Sequence, residues 1–211
     1  MLLVVGRSGS GKSSVISYMA NNENFIKGFY NDVYLMSPTC EIDDLCKTLK
    51  IPKKNMIKNN FEESLTKILD SQEQHIKNKG IKRTGEKNKV LIILDDIISD
   101  PKFLKSDAMV KLATMGRHFL ISSVINTQSY TKVPRVIRLQ SNGIILFPSS
   151  NNEIKLVADD TCPPNCSKKD FMSLIAYATK GKHDFLYINN FEPAERRFRK
   201  GFTQYLVCKK K

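Results

Sequence analysis

The densest chemistry in the chain lies in Gly6-Arg7-Ser8-Gly9-Ser10-Gly11-Lys12-Ser13. Glycines accept backbone angles that other residues resist, so successive N–H groups can turn inward around phosphate oxygens. A lysine placed directly after the last glycine reaches the β- and γ-phosphates of a nucleotide, and the next hydroxyl ligates Mg²⁺. The pattern is G-x-x-x-x-G-K-S, the phosphate-loop or Walker-A motif. It assigns Gly6, Arg7, Ser8, Gly9, Ser10, Gly11, Lys12, Ser13 and Ser14 to nucleotide binding. Lys12 also enters catalysis, and Ser13 the metal site.

A second cluster follows at Val90-Leu91-Ile92-Ile93-Leu94-Asp95-Asp96. A short apolar run ending in two carboxylates is a Walker-B pattern. Asp95 is expected on the metal, directly or through water. Asp96 is expected to act as general base on the attacking water. Asn126-Thr127-Gln128 closes a later apolar run, with Gln128 the candidate that orients water beside the γ-phosphate and Asn126 the reserve. Arg117 and Arg138 flank that run. A guanidinium stabilises the spread charge of a transferring phosphoryl group and can be supplied by a neighbouring subunit; either arginine fits that role, as does a structural salt bridge.

These groups need elements to hold them. Leu2-Leu3-Val4-Val5 reads as a strand entering the glycine turn, and a helix-compatible run follows over 14–20. Residues 32–36 and 90–94 read as further strands, the second buried on both faces. Phe61, Leu65, Ile68, Leu69 and Ile76 fall on one helical face. Residues 77–89 are basic with almost no apolar residue and are expected to form a mobile loop. A helix over 106–116, strands over 119–125, 143–147 and 184–188, and a helix opened by the capping pair Ser167 and Asp170 complete the pattern. Residues 196–211 form a basic tail with interleaved aromatics, read as an edge strand or a surface arm. The expectation is an α/β fold with a single domain over 1–211.

The chain has 211 residues, of which 41% are hydrophobic, enough for one substantial core. A net charge of +13 and a pI near 9.5 suit a polyanionic partner, nucleic acid before an anionic membrane. No apolar run approaches the length of a membrane-spanning helix. There are five cysteines. The spacing of Cys162 and Cys166 is one a zinc site uses, but no matching second pair accompanies it, so reduced thiols are expected.

The stretches GRSGSGKSS, VLIILDD and GRHFLISSVINTQSYTKVPRVIRLQSN resemble the poxvirus-type genome-packaging ATPases of the FtsK–HerA superfamily. The resemblance runs over most of the chain. It implies a RecA-like P-loop NTPase with a mostly parallel central sheet flanked by helices, the Gln128 strand lying between the Walker-A and Walker-B strands. It implies ATP and Mg²⁺ as cofactors, with Lys12, Ser13, Asp95, Asp96 and Gln128 as ATPase residues. It further implies a homo-oligomeric ring, a hexamer favoured, that pumps double-stranded DNA into a preformed capsid through its portal vertex. The location would be the virion or the viral factory in the host cytoplasm. The superfamily often has Asp-Glu where this chain has Asp95-Asp96. Two other readings stay open at this stage: a P-loop nucleotide kinase, and a nucleotide-dependent DNA-binding scaffold without turnover.

Overall fold

The computed structural model describes residues 1–40 and 44–208. In chain order the first elements are β1 (Leu2–Val5), α1 (Lys12–Asn21), β2 (Asp32–Met36), α2 (Asp44–Leu49), β3 (Met56–Ile57), α3 (Phe61–Lys87) and β4 (Val90–Asp95). Then come α4 (Pro101–Leu104), α5 (Asp107–Met115), β5 (Ile121–Thr127), α6 (Arg135–Leu139), β6 (Gly143–Leu146) and α7 (Asn151–Thr161). The last are α8 (Lys168–Ala178), β7 (Leu186–Asn189), β8 (Phe198–Lys200) and β9 (Gln204–Leu206). Two compact units divide these elements: Met1 with Ser13–Asn126, and Leu2–Lys12 with Thr127–Lys211. The fold is α/β and its strand pairing mostly parallel, as expected.

In the first unit β3, β2, β4 and β5 pair in that order, every pair parallel. β4 has a parallel neighbour on each side and all of its residues are buried. That burial explains its uninterrupted apolar run: a strand covered on both faces has no solvent side for alternate polar residues. Of the α3 face expected from Phe61, Leu65, Ile68, Leu69 and Ile76, the first, second and fourth are buried, and Ile68 and Ile76 are half-buried. Further along the same helix, Gln72 is buried and its amide donates to the carbonyls of Asn88 (2.6 Å) and Phe119 (3.1 Å). Lys111 of α5 pairs with Asp70 and Glu73 of α3, and the two lysines beside Glu73 hold its carboxyl below the usual range.

Two expectations are corrected here. Residues 77–89 are not a loop: α3 continues through them to Lys87, broken once at Gly80 (φ 73°, ψ 158°). Lysine and glutamate are good helix formers even without an apolar stripe. Thr84, 1% exposed, seals the break by donating its hydroxyl to the carbonyls of His75 (3.1 Å) and Gly80 (2.8 Å). The strand expected over 119–125 instead spans Ile121–Thr127. A 3₁₀ turn occupies Gly116–Phe119, and Leu120 is left-handed (φ 58°). The apolar residues before the strand therefore belong to the turn, and Asn126 and Thr127 to the strand.

In the second unit β1 pairs with β6 in parallel, and β6, β7, β8 and β9 continue as antiparallel neighbours. The basic tail, where described, thus enters the sheet as a hairpin of β8 and an edge strand β9, and its residues 209–211 lie outside the described residues. Its Phe198 packs against Phe171 of α8 (ring centroids 5.0 Å apart). The Ser167 hydroxyl accepts the Asp170 N–H at 3.0 Å and caps α8 as expected. Cys166, expected as a reduced thiol, is joined to Cys208 as a disulfide (Cα–Cα 5.9 Å), while Cys162 is a free thiol. The 42-residue separation of Cys166 and Cys208 hides their proximity in the sequence. No helix among the described residues is long and apolar enough to cross a membrane.

Candidate nucleotide-binding site

The phosphate loop lies in the second unit between β1 and α1. Gly9 (φ 71°) and Gly11 (φ 106°) take left-handed angles that a side chain would strain. Gly6 is excluded from substitution for a different reason: a Cβ there would lie 2.6 Å from Phe147 Cβ and 2.8 Å from Ser10 Oγ. The Ser10 N–H closes a turn onto the Arg7 carbonyl at 3.2 Å, and the Gly6 N–H donates to Thr127, the last residue of β5, at 3.2 Å. Lys12 is buried, and its ammonium donates to the carbonyls of Gly6 (2.8 Å) and Arg7 (3.0 Å).

These features fit a phosphate. The Ser10 hydroxyl is buried without a hydrogen-bond partner among the described residues, which costs about 1–3 kcal/mol unless a ligand satisfies it. α1 begins at Lys12, directly after the glycines in the chain, and a helix start offers unpaired N–H groups and a positive end to an anion. Arg7, Ser8, Gly9 and Ser14 are exposed, and Ser13 is half-buried.

The paired acids lie in the first unit. Asp95 ends β4, 3% exposed, and accepts a hydrogen bond from the Asn126 amide at 2.5 Å. The register that sets Asp95 opposite Asn126 makes this contact. Asn126, the reserve water-orienting residue, is therefore the partner of Asp95. Its Oδ1 is buried without a partner among the described residues. Asp96 adopts left-handed angles (φ 52°, ψ 28°), a conformation aspartate tolerates better than most residues and one found at functional turns. Its N–H donates to the Asn126 carbonyl at 3.2 Å, and its own carbonyl accepts the Ser99 hydroxyl at 3.2 Å.

Gln128 is exposed immediately beyond β5. The turn that carries it is held by Glu153 of α7, a buried carboxylate missing from the sequence-derived site. Glu153 accepts the hydroxyls of Ser129 and Thr131 and the Thr131 N–H, each at 2.9 Å. The spacing S-x-x-E at Ser150 and Glu153 marks the cap of α7, where the Ser150 hydroxyl accepts the Glu153 N–H at 3.5 Å. It was the available signal.

Arg138 makes a structural salt bridge, one of the two readings its sequence left open. Its side chain is 9% exposed and its Nε donates to Asp160 at 2.8 Å. Nη1 donates to the Val133 carbonyl at 2.8 Å, and the guanidinium lies 5.2 Å from the Tyr130 ring centroid. The Tyr130 hydroxyl donates to the same Asp160 oxygen at 3.0 Å. Burial first, then the Asp160 charge, pushes that phenol well above its usual range. Arg117 sits exposed on the 3₁₀ turn before β5.

The poxvirus A32 protein family matches residues 1–197. The chain belongs to that family. It is a family of genome-packaging ATPases. Protein 075L of Invertebrate iridescent virus 6 is 24% identical over 190 residues, 90% of this chain and 70% of the relative. Among solved structures, the genome-packaging NTPase B204 of Sulfolobus turreted icosahedral virus 2, bound to AMP, superposes with a TM-score of 0.66 at 16% identity, covering 95% of each chain. The cytoplasmic domain of the type VII secretion ATPase EccC from Thermomonospora curvata gives 0.60 at 16% identity, over 90% of this chain and 24% of that one. At these identities the structural likeness speaks for the fold.

Proposed function

We propose that this A32-family protein is an ATP-driven motor that moves double-stranded DNA into a viral capsid. The observation that carries the reading is the phosphate loop: two left-handed glycines, a buried lysine and a buried serine hydroxyl with no partner among the described residues, in a chain matched over 1–197 by a packaging-ATPase family. In this reading Gly6 to Ser14 bind the triphosphate of ATP. Ser13 and Asp95 would hold Mg²⁺, which when bound supplies positive charge to the β- and γ-phosphate oxygens. Lys12 neutralises charge on the transferring group. Asp96 accepts a proton from the attacking water, and Gln128 orients that water. Asn126 keeps Asp95 in place. Arg117, and not Arg138, reaches the site of the adjacent subunit in a ring, for which we favour six subunits. The remaining partners are capsid or portal-vertex proteins, and the working location is the virion or viral factory.

An ATPase assay with and without duplex DNA, on protein sized by light scattering in the presence of capsid components, tests this. The expected result is DNA-stimulated hydrolysis by an oligomer, abolished by Lys12→Ala. Hydrolysis indifferent to DNA, with phosphate transferred to an added nucleotide, overturns the motor in favour of a nucleotide kinase. DNA binding that responds to ATP without phosphate release favours a scaffold.

A further inference from the structure

From outside the motif, the His183 side chain makes a hydrogen bond to the phosphate loop. His183 lies between α8 and β7, and its Nδ1 is 3.0 Å from the Ser10 carbonyl oxygen. A carbonyl only accepts, so Nδ1 carries the hydrogen. The same nitrogen would be 3.4 Å from a Cβ on Gly11. The histidine is thus packed against the two residues that precede Lys12.

Its own position is fixed on both sides. Asp184 accepts the Gly181 N–H at 3.1 Å and pairs with Lys200 of β8 at 2.8 Å. Phe185 packs at a tilt against Phe147, the residue against Gly6, at 5.3 Å between centroids, and edge-on against Phe202 at 5.0 Å. The turn that carries His183 is therefore anchored to the C-terminal hairpin.

The consequence follows from peptide geometry. No cis bond occurs among the described residues. In a trans peptide the C=O and the next N–H point in opposite directions. A donor that holds the Ser10 carbonyl therefore aims the Gly11 N–H away from the 181–185 turn. The Gly11 N–H is one of the groups that a G-x-x-x-x-G-K-S loop turns toward phosphate. We infer that His183 is a positioning residue for nucleotide binding: its bond to the Ser10 carbonyl sets the peptide between Ser10 and Gly11 in its phosphate-binding orientation before ATP arrives. This rests on the nucleotide-binding reading above.

The test is the affinity of the full chain for ATPγS with Mg²⁺ by calorimetry, together with KM and kcat for ATP. His183→Ala is expected to weaken ATPγS binding about fivefold to tenfold, the loss of one hydrogen bond. KM should rise in step, with kcat held within about twofold. His183→Asn places an amide N–H near the lost Nδ1–H and should recover most of the affinity; His183→Gln, whose amide lies one carbon further out, should not. Unchanged affinity in His183→Ala overturns the inference, and so does asparagine performing no better than glutamine. If His183→Ala does not give a cooperative melt, the asparagine and glutamine variants decide alone. Wild-type protein that binds ATPγS no better than Lys12→Ala would instead sink the nucleotide reading itself.

Discussion

Replacing Lys12 by alanine removes a buried ammonium bonded to the loop's own carbonyls, so two effects combine: lost charge on the phosphates and a loosened loop. ATP hydrolysis should fall at least about 100-fold in a phosphate-release assay. Asp96→Asn keeps size and hydrogen bonding but cannot take a proton. Turnover should drop about 10²–10⁴-fold while ATPγS affinity stays within a few-fold; equal turnover would remove Asp96 as the base. The two arginines separate cleanly. Arg138→Ala leaves the largely enclosed Asp160 without its cation and should cost about 3 kcal/mol, read as a lowered melting temperature. Arg117→Ala should leave melting unchanged, lower turnover, and regain it in subunits mixed with a Lys12→Ala chain that supplies the arginine. At this scale the glycine loop and the acid pair were legible because their chemistry requires adjacent residues. The Asn126 contact to Asp95, the Glu153 hold on the Gln128 turn and the His183 contact were not, because each depends on which residues the fold makes neighbours.

Elements show the same division. β4 announced itself through five apolar residues in a row, since burial on both faces leaves a one-dimensional trace. The Ser167–Asp170 cap was equally local. The second half of α3 was invisible to a search for apolar periodicity, because it is held by Thr84 rather than by a stripe. Gly80 is testable there. Its angles fall in a region that is nearly exclusive to glycine, and no atom among the described residues lies within 4 Å of a Cβ built on it. Gly80→Ala should therefore cost about 1–3 kcal/mol from backbone strain alone, measured by denaturant melts, unless the helix straightens. A rise in helical circular dichroism would report that straightening. The β5 boundary was misread for a related reason: apolar residues fill both the 3₁₀ turn and the strand, and only the left-handed Leu120 separates them.

For the whole molecule, the charge of +13 makes a prediction independent of any single residue. Contacts to phosphates release counterions, so DNA-dependent activity should fall steeply with salt. Between 50 and 200 mM KCl the affinity for duplex should drop by at least about tenfold, and similarly for unrelated sequences. Basal hydrolysis without DNA should change little over that range. A duplex affinity insensitive to KCl would move the grip from the phosphate backbone to the bases or the grooves. The Glu153 tether has one more use. Anyone grafting the Gln128 turn into a related motor, or recombining halves of two viral homologues, must transplant residue 153 with it. A chimera that splits them inherits a turn whose anchor stayed behind in the other parent.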